Sequence, residues 1–301
     1  MRLFWTRISF VAVGFAAGWL AHDWKLQAPV APPVVPTALS STSTESSDGG
    51  GVRDVTLDDV LSLAREALQH TIENVDDYTA VMSKHEQDQK GVLQVPSEMF
   101  VKVATRHRGG QPGQPLKVYL KFQSPDSVRG REVIWIEDQN DGKLQVREAG
   151  FMGAMMTASI DPTGFLAMQG QRYPITEIGL TNLISKLVER GEHARSETGV
   201  KVTMADDYVI DGQNYTLIQL QRSKPNGRDD DFSLAEVVID LEKQIVIEFR
   251  SFGWPAADAP DDQGAPPLIE SYRYRDVKLN VGLRDIDFDV SNPDYTFAES
   301  K

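Results

Sequence analysis

The sequence predicts an α+β fold, a large curved antiparallel sheet with two helices packed on one face. From Tyr78 the pattern becomes one of extended segments, and Leu116, Val118, Leu120 and Phe122 alternate with Lys117, Tyr119 and Lys121 at a period of two, which gives a strand one buried and one wet face. Turn signals such as DQKG, QNDG and DGQN separate these segments at hairpin distance. Helical spacing occurs in two places only, with none of the strand–helix–strand alternation that a parallel nucleotide-binding sheet needs.

The first helix starts at Thr56, a good N-cap, with Asp58 and Asp59 in the first turn where the helix dipole favours acids. Leu57, Val60, Leu61, Ala64, Leu68 and Ile72 recur on one side of it, so an amphipathic helix runs to about Asn74. DYTAVMSKHEQ and VLQVPSEMFVKVATRH then pair across DQKG. In the next strand Leu116, Val118, Leu120 and Phe122 form a buried face, and Lys117, Tyr119 and Lys121 a wet one. EVIWIED is apolar on both faces, as expected of a strand covered on both sides, and Lys143 to Glu148 follows. The second helix is capped by Thr176, runs through Ile178, Leu183, Ile184, Leu187 and Val188, and stops at Gly191. VKVTMAD, YVIDGQNYTLIQLQ, SLAEVVID, QIVIEFRSFGW and LIESYRYRDVKL are strands, and DIDFDVSNPDYTF is a short extended ending. The total is about ten strands, nearly all joined by hairpins, and a sheet of that size must curl or be covered.

Three regions are expected. Residues 1–26 form a signal anchor or signal peptide: Arg2 and Arg7 precede the apolar run Ile8 to Ala21, and the poor match to a cleavage site favours an uncleaved anchor. Basic residues before the run leave the N-terminus in the cytoplasm and the rest outside, in the cell envelope or periplasm, with the membrane as a partner. Residues 27–53 are a linker, proline-rich and extended at first, then rich in Ser, Thr and Gly. Residues 54–301 form the folded domain.

The formal net charge is −13, and the first fifty residues contribute nothing to it, so the folded part holds the excess acid. That composition excludes a general nucleic-acid binder, which needs a basic footprint. Cysteine is absent, which excludes disulfides, thiolate nucleophiles and cysteine-based metal sites. The five histidines are scattered, and no HExxH, GxSxG or phosphate loop is present, so no catalytic residue, metal or cofactor is assigned. Acidic runs at Asp206–Asp207, Asp229–Asp231, Asp258–Asp262 and Asp285, Asp287, Asp289 read as solvated turns, because no glycine or closing glutamate sits where a calcium loop requires it.

Two groups of residues stand out as candidate sites. Phe151, Met152, Met155, Met156, Phe165 and Met168 make a soft apolar cluster broken by glycines, next to the strand that holds Trp135. Methionine adapts to irregular apolar partners, so these residues form a candidate ligand site, set against the plainer reading that they plug the core. Between Lys102 and Arg131 lies a stretch with seven basic residues and a single acid, Asp126. Within it Arg129 and Arg131 flank Gly130 in a turn and could contact an anionic head group, whereas the plainer reading is a solvated sheet face.

The succession of the first helix, DYTAVMSKHEQDQKG, VPSEMFVKVATRH and PLKVYLKFQSPDSVRGREVIW resembles the exported bacterial domain of unknown function 1571 family, as does the ending ESYRYRDVKLNVGLRDIDFDVSNPDYTF. The chain also resembles, more distantly, the LolA-like outer-membrane lipoprotein-sorting proteins. This resemblance implies an open half-barrel with helices in its mouth and an apolar cavity that takes acyl chains. It transfers no individual binding residue. The expectation is a non-enzymatic cell-envelope domain binding a lipid or lipoprotein acyl chain, and the alternative is an envelope scaffold or protein-interaction module with no small ligand.

Overall fold

The structure, a computed structural model, describes residues 51–149, 157–228, 231–255 and 266–297. In chain order these hold β1 (Arg53–Val55), α1 (Leu57–Asn74), β2 (Asp77–Glu86), β3 (Ser97–Ala104), β4 (Lys117–Ser124), β5 (Glu132–Ile136), β6 (Leu144–Arg147), β7 (Thr157–Ile160) and α2 (Phe165–Met168). There follow α3 (Leu180–Ala194), β8 (Val200–Ile210), β9 (Gln213–Arg222), β10 (Leu234–Asp240), β11 (Ile245–Phe252) and β12 (Leu268–Leu279). All twelve strands belong to one sheet in the order β1-β8-β9-β10-β11-β12-β2-β3-β4-β5-β6-β7. It consists of two meanders, β2–β7 and β8–β12, joined where β12 pairs antiparallel with β2, and of β1, which pairs antiparallel with β8. The two strands beyond the expected number, β1 and β7, are the edges; they are three and four residues long and mostly exposed, so neither shows the alternation that marks a strand.

VKVTMAD and YVID, expected as separate pieces, are one strand, β8, with a register shift between Ala205 and Tyr208. Such irregularities bend a strand and increase its twist, and others occur in β10, β12 and β3.

The start of α1 is as expected. Thr56 Oγ1 accepts the Asp59 N–H at 3.1 Å and the Asp59 carboxylate accepts the Thr56 N–H at 3.1 Å, a closed capping box. The second helix differs at both ends. Thr176 lies in a separate 3-10 turn, Ile175–Glu177, and α3 begins only at Leu180. Its N-cap is Gly179, at φ +121° and with no side chain to offer; the Leu180 N–H instead donates to the buried Tyr78 hydroxyl at 3.2 Å, supplied by β2. Gly191 does not stop the helix, which continues to Ala194. A Cβ at Gly191 would sit 2.6 Å from Leu61 Cδ2, so the missing side chain is what lets α1 and α3 approach.

Ala67 of α1 and Ile184 of α3 share one buried cluster with Val202, Met204, Ile218, Ile239 and Val246 of β8–β11. A larger cluster runs through Tyr78, Val101, Val103, Val118, Val133, Trp135 and Leu180. As its sequence requires, β5 is apolar on both sides: Val133 and Trp135 join the larger cluster, while Ile134 joins a third one with Tyr119, Phe288, Tyr295 and Phe297.

That third cluster corrects two expectations. The ending is not extended but contains a 3-10 turn, Asp285–Phe288, packed against the face of β4 expected to be wet and against the adjoining outer face of β5, expected to be covered. Tyr119 is therefore buried, stacked on Tyr295 with ring centroids 4.1 Å apart and planes 9° from parallel. The basic stretch is likewise only in part a solvated face: Arg129 is exposed and Lys121 half-exposed, but others are covered or paired. Lys102 pairs with Asp287 and Lys117 with Asp285, each at 2.6 Å, and Arg106 grips Glu137 through two nitrogens at 2.8 and 2.9 Å. Two of the aspartates read as solvated turns are the partners of two of the lysines read as solvated. Beneath them the fully buried Glu132 accepts the Tyr119 hydroxyl at 3.0 Å and the Thr296 N–H and hydroxyl at 2.8 and 2.7 Å. The tail is thus bound by ion pairs at its start and by a buried carboxylate at its end.

The apolar run Ile8 to Ala21 and its linker lie outside the described residues. Among the described residues no helix is long and apolar enough to cross a membrane.

Candidate functional site

A cavity of about 410 Å³ opens between the sheet and the connection that carries α2 and α3. Its floor follows from strand alternation. Every second residue of β2 faces it, in the order Met82, Lys84, Glu86, and the cross-strand partners on β12 are Tyr274, Tyr272 and Glu270. Successive rungs of this ladder therefore pass from apolar through mixed to fully polar. Met99, Leu120, Phe122, Val133, Leu144, Val146 and Ile160 extend the apolar floor across β3 to β7. Leu166, Ala167, Ile175, Ile178, Leu183 and Leu187 close it from above.

The polar end is a connected network. Glu86 and Glu270 are each 2% exposed and are direct cross-strand neighbours, an arrangement of like charges that is unfavourable unless cations intervene. The Glu86 carboxylate accepts Lys84 Nζ at 3.0 Å, the Arg172 backbone N–H at 2.9 Å and the Tyr272 hydroxyl. Glu270 accepts Arg190 Nη1 at 3.2 Å and the Ser251 hydroxyl at 3.2 Å, with Arg172 Nε at 3.7 Å. Tyr173 receives Arg190 Nη2 at 2.8 Å and Arg172 Nε at 3.3 Å on its hydroxyl, and Lys186 Nζ lies 4.6 Å from its ring centroid. Burial, and then the charges of Glu270 and Glu86, push the Tyr272 hydroxyl far above its ordinary pKa, so it remains a donor. Burial works against the charge on Arg190, but Glu270 and Tyr173 outweigh it and the guanidinium is held protonated more firmly than usual.

The residues singled out in the sequence fall in different places. Arg131 lines the cavity, pairs with Glu148 at 2.9 Å and lies 5.8 Å from the Phe122 ring centroid. Arg129 is exposed in the preceding turn, paired with Asp126 at 2.6 Å, and does not line it. Trp135 is 4% exposed in the core, its indole N–H donating to the Gly142 carbonyl at 3.2 Å; its neighbour at i−2, Val133, is the β5 residue on the wall. Phe165 is 78% exposed, and neither it nor Met168 lines the cavity; of α2, Ala167 and the largely exposed Leu166 border it. Phe151, Met152, Met155 and Met156 lie outside the described residues. Among the described residues the methionines on the wall are Met82 and Met99, which sequence reading passed over as ordinary strand residues. So were Glu86 and Glu270, although an acid at a buried alternate position of a strand is itself a signal.

Fold and cavity together define a class: an α+β domain built as one open antiparallel sheet, with an apolar cavity that is polar at one end. Within it the chain belongs to the DUF1571 family of proteins of unknown function, whose model matches residues 75–297. No curated protein matches the chain. Among solved structures it is similar to a putative outer membrane lipoprotein-sorting protein domain from Vibrio parahaemolyticus, at 12% identity and a TM-score of 0.35, over 78% of this chain and 97% of that one. It is similar to the Mycobacterium tuberculosis lipoprotein LppX at 14% identity and a TM-score of 0.39, over 77% and 99% of the two chains. A DUF1329 family protein from Desulfovibrio piger matches at 10% identity and a TM-score of 0.35, over 77% and 97%. Likenesses this remote assign no residue and no activity to this chain.

Proposed function

We propose that this chain is a non-enzymatic cell-envelope domain that holds an apolar ligand, the acyl chain of a lipid or lipoprotein, between its sheet and α3. The observation that carries this reading is the cavity: about 410 Å³, floored by methionine, leucine, valine and phenylalanine side chains. That volume lies in the range of ligand pockets, and it is far larger than the voids of an ordinary close-packed core. The two methionines suit a ligand of variable shape. Envelope placement and a membrane tether rest on the basic-apolar N-terminal run and belong to the same proposal.

Binding rather than catalysis is supported by the state of the four carboxylates that line the cavity among the described residues, Glu86, Glu148, Glu177 and Glu270. General acid–base work needs a carboxylate free to take or give a proton at a substrate. Glu86 and Glu270 are instead each occupied by cations and hydroxyl donors of the protein itself, and Glu148 and Glu177 are paired with Arg131 and Lys186.

The test is saturable binding of the neutral fluorescent probe N-phenyl-1-naphthylamine by the full chain, repeated with Val133→Trp, which places an indole on the cavity floor. The expected result is one-to-one binding that is lost in a variant retaining the native circular dichroism. Absence of saturable binding, or equal binding by the filled variant, would sink the proposal.

A further inference from the structure

A second space, of about 80 Å³, lies between α1, α3 and the β8–β11 part of the sheet. Apart from Gly191 and Arg190, its described lining consists of aliphatic and aromatic side chains. Ala64 of α1, Ala194 of α3 and Ala235 of β10 face it and are too small to fill it. Close-packed interiors hold few voids larger than a water molecule, and an empty apolar one costs stability because its lining lacks dispersion partners. Such a void stays dry and accepts apolar groups. This one adjoins the larger cavity. Leu187 and Phe249 line both spaces, and Leu187 packs on the cluster of Phe232, Ala235 and Phe249, so two apolar side chains form the partition. Helical spacing accounts for the shared wall: along α3, Leu183 and Lys186 border the larger space, Ile184 and Gly191 the smaller one, and Leu187 both. Arg190 also borders both, with its guanidinium held by Glu270 and the Tyr173 hydroxyl.

We infer that the apolar site continues beneath α3, the second space receiving the terminal carbons of a long chain that passes between Leu187 and Phe249. This rests on the apolar-cavity reading above and adds a chain-length specificity to it. The 80 Å³ of the second space accommodates roughly three carbon-sized groups, taken at the volume a molecule as small as water occupies in its liquid. Phe249 is fully buried in β11, whereas Leu187 is only half-buried on the helix. Core side chains exchange rotamers even in close-packed interiors, so a rotamer change of Leu187 is the smallest movement that joins the two spaces. A chain long enough to reach the second space then binds more tightly than one that ends in the first, because each further methylene leaves water for an apolar wall.

The experiment displaces N-phenyl-1-naphthylamine from the full chain with alkan-1-ols from octanol to octadecanol. It is run on the native protein and on Ala235→Leu and Ala64→Leu, which fill the second space from the sheet side and the helix side. Affinity is expected to rise about fourfold per methylene until the chain reaches the end of the apolar space. Each filled variant should bind octanol as the native chain does, which also shows that it is folded, and should stop gaining about three carbons earlier. A second measurement needs no variant: hexadecan-1-ol carrying a diazirine at its far end should photolabel Ile184, Ala235 or Ile239 of the native chain. This labelling decides alone if neither filled variant binds octanol. An unshortened series in a variant that binds octanol normally overturns the inference and leaves the larger cavity standing, as does labelling confined to β2–β7. Failure of the native chain to bind any alkanol overturns both.

Discussion

The stacked pair Tyr119–Tyr295 tests whether the C-terminal tail is a structural wall of the sheet. Tyr295 is buried, its ring lies 4.1 Å from that of Tyr119, and Lys102 Nζ sits 5.2 Å from its centroid. Its hydroxyl donates to the Asp287 carbonyl at 2.7 Å, closing the tail on itself. Tyr295→Ala removes a large buried aromatic side chain, which costs about 3–5 kcal/mol, of which the ring pair accounts for roughly 0.5–1.5. Tyr295→Phe keeps the ring and removes only the hydroxyl, for about 1 kcal/mol. Urea unfolding should therefore show a loss of about 4 kcal/mol in the first variant and about 1 in the second, with unchanged slopes. Hydrogen exchange should accelerate first in β4 and β5, whose side chains the tail covers. A loss below about 1 kcal/mol for Tyr295→Ala, or equal losses for the two variants, would refute the reasoning.

Other predictions follow from single contacts. Tyr78→Phe leaves the buried Leu180 N–H without an acceptor, at a cost of about 1–3 kcal/mol, measurable by urea unfolding. Gly191→Ala gains about 1 kcal/mol of helix propensity but drives a methyl into Leu61; a net loss of about 1 kcal/mol is expected, and a gain would show that α1 and α3 are not in close contact there. The tail should also loosen in acid. The hydrogen bond and charge of Lys117 hold Asp285 below the ordinary carboxylate pKa; for Asp287, burial pushes upward but Lys102 and the Arg284 N–H outweigh it. Acids depressed in the folded state stabilise it above their unfolded pKa, near 4, and that stability is lost as pH falls through the folded values. The urea midpoint should decline below about pH 4, and by less in Lys102→Met; an equal decline in both proteins would contradict the pairing.

Much of the fold was legible because period-two alternation and turn chemistry are local. The bounds Leu268–Leu279 of β12 and the N-cap at Thr56 could be read from a few residues each. What could not be read was supplied from far along the chain. The cap of α3 is a tyrosine about a hundred residues earlier, |i−j| = 102, so a local search settled on Thr176. The outer face of β4 looked wet because its cover comes from residues 285–297. The site was less legible than the fold for the same reason. Its polar end joins Glu86 to Glu270 across the β2–β12 pairing, the one point where the two meanders meet. Richness in methionine drew attention to a loop, while the wall methionines were hidden in two regular strands.

The central claim of the proposal is that the space between the sheet and α3 is occupied by an apolar chain in the cell. The most direct test is native mass spectrometry of the full chain purified from membranes, with organic extraction and identification of whatever is released. The account predicts a single bound lipid or acylated species per chain, absent from Val133→Trp purified in the same way. Native protein that carries nothing and takes up no apolar probe, or a filled variant that carries the same species, would contradict it.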